Sequence, residues 1–278
     1  MNYELDFISC EDTMPRGPFG FFNDVCTLSS VPILAVPLYF VHKALVVAPQ
    51  PTHTLASSQR RQLQYYTLLN LLLFLGNLIQ HATGYLGPPC MDTIGCAGGL
   101  CLCAIAYQAY YQTVDSHLSS DTSFKTHDPK RSQKFPRPWI LQRLSPDTVS
   151  SITTSLAVIV LATPLIGGKE REAILTKSLK PLVDLLVVVL MGWTAWTQKV
   201  CLDAKRSWNL YRTCFGLFVS VLLFGEAEPR LCSSLNNTGK RLFHATFGHA
   251  LISAMFTGVS ALAFQVTRAS SPSVASRY

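Results

Sequence analysis

Charge is what this chain has least of: 14% of its 278 residues are Asp, Glu, Lys or Arg, against 49% hydrophobic ones. So little polar side chain cannot cover a water-soluble globule, and a membrane protein is implied. A basic patch is missing too. The formal charge of +7 is scattered through short loops between apolar runs, which reads as a topology signal and makes nucleic acid an unexpected partner. The N-terminal MNYELDFISCEDTM has neither a basic n-region nor an apolar h-region. No cleaved signal peptide is expected there, and the first membrane helix should do the targeting. Repeats and low-complexity segments are also lacking.

What is abundant is apolar sequence in runs of membrane length. About 20 helical residues cross a hydrocarbon core of ~30 Å. Seven stretches meet that need, at roughly 27–48, 63–84, 92–113, 149–167, 180–200, 207–226 and 243–266. The expected fold class is therefore an all-α membrane protein, a seven-transmembrane helix bundle. Residues 1–26 precede it, the transmembrane domain covers 27–267, and 268–278 form a tail. The polar, Pro-containing stretch 114–148 is expected to be its one long loop. GCAGGLCLCA in the third span supplies small residues that let helices approach closely.

Orientation follows from the basic residues. Of the 23 Lys and Arg, fourteen fall on the side of the odd-numbered loops and the C-tail, eight on the opposite side, and Arg212 lies within a span. The C-tail is then cytosolic and the N-terminus lumenal or external. Asn236-Asn237-Thr238, a glycosylation sequon, falls in the last non-cytosolic loop, which makes Asn236 the acceptor.

Ionisable side chains are costly in a bilayer, so those within or beside the spans are functional candidates. Asp184 in the fifth span has no partner evident in sequence, and Arg212 and His42 lie near cytosolic ends where long or amphipathic side chains snorkel. The others gather toward one membrane face. His81 ends the second span, Asp92 opens the third, Glu226 and Glu228 close the sixth, and His244 and His249 open the seventh. Imidazoles plus a carboxylate at one depth are a donor set for Zn²⁺ and its water.

These residues also carry a resemblance. GNLIQHATGYLGPPCMD, residues 76–92, resembles the alkaline ceramidases, whose pattern here is G-S-x-x-x-H-x-T with an Asp eleven residues after the His. SCED, FFND, EPRLC and FHATFGHALISA resemble further motifs of that family at similar intervals along the whole chain. The resemblance implies membership of the ceramidase-like superfamily, which also holds progestin and adiponectin receptors. It implies a zinc held by His81, His249 and His244, with Asp92 as general base and Asn77 where the family has a serine. It implies a disulfide between Cys10 and Cys232. The reaction implied is hydrolysis of a membrane lipid, the amide of a ceramide, in the endoplasmic reticulum or Golgi.

Departures from the pattern define the open questions. Asn77 replaces the serine and Thr93 replaces an acidic neighbour of Asp92. The seventh-span histidines are five apart instead of four, about 140° around a regular helix. Either a π-bulge brings His244 and His249 onto one face, or HALIS shifts the alignment so that Ser253 takes the last ligand position. Glu11 and Asp12 survive from the family's calcium site, too few for the six to eight oxygens of Ca²⁺, so calcium is not expected. Two other readings stay open: a receptor-like or scaffold protein whose site has decayed, and a cyclase or isomerase of a lipophilic metabolite.

Overall fold

A computed structural model describes residues 57–83, 88–121 and 144–270, with Ala35, Tyr39 and His42 besides. Among them there is no strand. The helices are α1 (Ser57–Thr83), α2 (Pro88–Asp121), α3 (Pro146–Cys201), α4 (Lys205–Cys232), α5 (Asn237–Phe243) and α6 (His249–Ala269). One π-helical turn, His244–Gly248, joins the last two. Among the described residues, five helical stretches are long and apolar enough to cross a membrane: Asp92–His117, Pro146–Thr163, Ser178–Cys201, Lys205–Glu228 and His249–Ala269. At 27 residues α1 is long enough as well. Its Arg, Gln and Asn residues make it more polar. The first expected span, 27–48, lies outside the described residues apart from Ala35, Tyr39 and His42, which are helical.

One expected boundary is corrected, and one pair of expected spans is joined. Residues 114–121, assigned to the long loop, instead extend α2, with Val114 buried against its neighbours. The spans expected at 149–167 and 180–200 share one helical run, α3. That run does not form a straight rod. The Tyr107 hydroxyl donates to the Leu144 carbonyl at 2.6 Å, and the Thr194 hydroxyl donates to the neighbouring Ala106 carbonyl at 2.9 Å. Fifty residues of straight helix would separate 144 from 194 by about 75 Å. The chain therefore doubles back between an outgoing limb, 146–163, and a return limb, 178–201. Pro164, Gly167 and Gly168, from the two residue types poorest in helix, fall between the limbs.

Helix α2 is the axis of the bundle. Of its most apolar stretch 89% is buried, against 6% for that of α4. Its small residues explain this position: a Cβ at Gly99 would stand 2.6 Å from Val183 Cγ1, so α2 and the return limb touch backbone to side chain. Around it, large apolar residues such as Leu68, Leu72, Leu75 and Leu223 face outward, as a lipid-facing surface requires.

The bundle has two different ends. At one, amide and hydroxyl side chains tie the helices together. Gln62 Nε2 donates to Ser150 Oγ at 2.7 Å and Thr154 Oγ1 at 2.9 Å, Gln108 Nε2 to Ser58 Oγ at 2.8 Å, and Gln198 Nε2 to the Val266 carbonyl at 2.6 Å. The opposite end carries the histidines. Midway, the Tyr66 hydroxyl and Ser260 Oγ, 3.1 Å apart, link α1 to α6.

Close packing at Gly99 sets a first prediction. Gly99→Ala should lower the melting temperature of the detergent-solubilised protein, because β-branched Val183 cannot rotate away freely; about 1–3 kcal/mol is the usual cost of overpacking. Gly216→Ala, where no atom lies within 4 Å of the new Cβ, should leave it unchanged or raised. Equal melting temperatures for the two variants would contradict this packing.

Candidate metal centre

Three histidines from two helices converge at the non-glutamine end. His81 is in the last turn of α1, and His244 and His249 flank the π turn. Ring centroids of His81 and His249 lie 4.8 Å apart, those of His244 and His249 5.1 Å, and those of His81 and His244 6.1 Å. One ring nitrogen from each falls within 4.8 Å of the other two. Three imidazole nitrogens so placed can hold a metal ion. In four-coordinate zinc, with Zn–N of about 2.0–2.1 Å, ligand nitrogens sit roughly 3.3 Å apart, so each ring need move inward by only about 1 Å. His81 and His249 are buried, which suits neutral imidazole donors.

The π turn makes this possible. The His249 amide bonds to the His244 carbonyl, an i→i+5 bond that winds the extra residue into the helix and returns His249 to the face of His244. This is the bulged arrangement of the two alignments. Ser253 lies a turn further along α6, half-buried. Aromatic packing seats the bulge against α4: Phe224 meets Phe243 at 5.3 Å between ring centroids, and Phe243 meets Phe247 at 5.4 Å. A Cβ on Gly248 would come within 3.0 Å of the Phe224 ring, so glycine is what lets α4 approach here.

One turn beyond Phe224 on α4, Glu228 reaches the cluster. Its Oε1 lies 2.5 Å from His244 Nδ1, and both side chains are largely shielded. A carboxylate on one imidazole nitrogen fixes the ring and leaves the other nitrogen to a metal. Sequence reasoning placed Glu228 among the ionisable groups of this face without giving it a role. Its signal in the sequence is the EPRLC motif, which Glu228 opens.

The remaining candidates fall as follows. Asn77 is on α1, one turn before His81 and half-buried. Asp92 opens the apolar part of α2, and its charged neighbours are Lys180 and Asp184 of the return limb; it is not in the histidine group. Glu226 is exposed. Cys232 is buried and disulfide-bonded. Its partner is not among the free cysteines of the described residues, and Cys10, Glu11 and Asp12 lie outside those residues. Asn236 is exposed in the turn after α4, where its Oδ1 accepts from the Gly239 amide at 2.7 Å. Asp184, without a partner in sequence, accepts from Lys180 Nζ at 2.7 Å.

No protein-family model matches this chain, nor does any curated protein or solved structure.

The Glu228–His244 contact predicts that Glu228→Gln weakens metal binding about 10- to 100-fold while the saturated stoichiometry persists. Titration of zinc against a chelator of known affinity measures it. Unchanged affinity would remove Glu228 from any positioning role.

Proposed function

We propose that this chain is a seven-span membrane hydrolase of the alkaline ceramidase type, which binds zinc through His81, His244 and His249 and cleaves the amide bond of a sphingolipid. The spans would be the five apolar helical stretches, α1, and residues 27–48. The observation that carries the reading is the convergence of three histidines, one held by a buried carboxylate, at one end of a bundle of apolar helices. Keeping four such groups together at membrane depth is costly, and a decayed site would have no reason to retain them. Resemblance along the chain supplies the reaction class.

When bound, zinc supplies Lewis acidity toward a carbonyl oxygen and lowers the pKa of water. The protein's own groups do the rest. Glu228 holds His244 in register, and Asn77 offers an amide N–H to the oxygen on which charge develops. Asp92, entering at the same end, accepts the proton and returns it to the leaving amine. The apolar helices bring a lipid amide to that depth without extracting it into water. The compartment proposed is the endoplasmic reticulum or Golgi, with the histidine end lumenal.

Purified protein should contain one zinc per chain and release free fatty acid from ceramide or phytoceramide. His81→Ala should lose both. Asp92→Asn should keep the metal and lose activity by about 10²–10⁴-fold, the usual contribution of acid–base catalysis. Zinc-free protein with full activity would sink the proposal and favour an isomerase-type reaction. For topology, Asn236→Gln should abolish an electrophoretic shift that glycosidase treatment also removes; a chain that never carries the glycan would argue against a lumenal histidine end.

A further inference from the structure

A cavity of about 220 Å³ lies between α1, α2, the return limb of α3, α4 and α6. Its walls are almost wholly apolar. Two lining residues are charged, Lys180 and Asp184, and they stand at the histidine end. Along the return limb the lining runs from Lys180 to Met191, about 16 Å at the rise of an α-helix. Pockets for drug-sized molecules span about 300–1,000 Å³, so this one is smaller, and its volume suits a single alkyl chain.

The ion pair needs a reason. The two charges lie in the first turns of an apolar span and keep about a third of their side-chain surface exposed (35% and 31%), yet they also line the cavity. Helix stability does not supply the reason, because Lys precedes the acid at i,i+4, the weaker order. What the pair does supply is hydrogen-bonding capacity on the cavity wall. With Nζ bonded to Oδ2 at 2.7 Å, the ammonium keeps two N–H donors and the carboxylate keeps its Oδ1 acceptor. Asp92 adds a second carboxylate in electrostatic reach of both.

We propose that the cavity binds the chain of a single-chain, uncharged, hydroxyl-bearing amphiphile, whose hydroxyl is held by Lys180 and Asp184. A hydroxyl both donates and accepts, so it satisfies the two groups without opening their bridge. A carboxylate head would face two acidic side chains, and an ammonium head, which has donors only, could bond Oδ1 but would leave the two Lys180 donors unanswered and set a second cation beside them. The site does not depend on a metal at the histidines.

The test uses the full chain in nanodiscs, with dodecan-1-ol, dodecylamine, dodecanoate and dodecane as probes, read by native mass spectrometry and by thermal shift. Dodecan-1-ol should bind at least tenfold more tightly than the other three. Gly95→Leu should abolish that binding, because Gly95 lines the cavity and its Cβ direction is open space that a larger side chain would fill. Independently, the double variant Lys180→Met/Asp184→Asn should bind dodecan-1-ol no better than dodecane. Zinc content, measured on the same samples, should not change, which separates failure here from failure of the metal site. Absence of dodecan-1-ol binding, equal or tighter binding of the amine or the carboxylate, or retention of the alcohol preference in the double variant would each overturn the proposal.

Discussion

No water reaches the middle of a bilayer, so a polar group that enters it must find its partner inside the protein. The architecture follows from that constraint. Helices satisfy their own backbone, and polar side chains collect where other helices can answer them. One end is a belt of Gln, Ser and Thr whose bonds cross from helix to helix. The other holds three imidazoles, a buried glutamate and the Lys180–Asp184 pair. Between them the interior is greasy and, beside α2, hollow. The small residues of α2 allow this, because a helix lined with glycine and alanine can be surrounded on all sides.

Much of this was legible in the sequence, for identifiable reasons. Apolar runs of about 20 residues mark helices whatever their neighbours do, so every expected span within the described residues meets a helix. His81 and Asp92 stood out because ionisable groups are rare in such runs. The five-residue spacing of His244 and His249 was informative because it fits no regular helix: it demanded either a bulge or a different ligand, and the π turn is present. The ends of elements were less legible. Helix α2 continues through the polar residues 114–121 because polarity says nothing of whether the backbone keeps its helical bonds.

Partnerships were least legible, since they depend on which helix faces are brought together. Lys180 read as a topology charge and Asp184 as a solitary carboxylate, although they are four residues apart. Glu228 and His244 are sixteen apart, on separate helices, and their contact exists only once α4 closes on the π turn through Phe224 and Gly248. Asp92 showed the reverse. Its spacing from His81 suggested a place beside the histidines, whereas its charged neighbours belong to the return limb of α3.

That division of the carboxylates bears on how one bundle end could run hydrolysis. Two acids against the same imidazoles would compete to orient them. Here Glu228 is committed to His244 by a short contact in a shielded site, where it fixes the ring. Asp92 is not one of the three-histidine group, and its charged neighbours are Lys180 and Asp184. On the proposed reading, positioning and proton transfer fall to different helices, α4 and α2. The bulge in front of α6 lets the first of these tasks be met, because without the i→i+5 turn His244 would point about 140° away from His249 and Glu228 would have no cluster to brace.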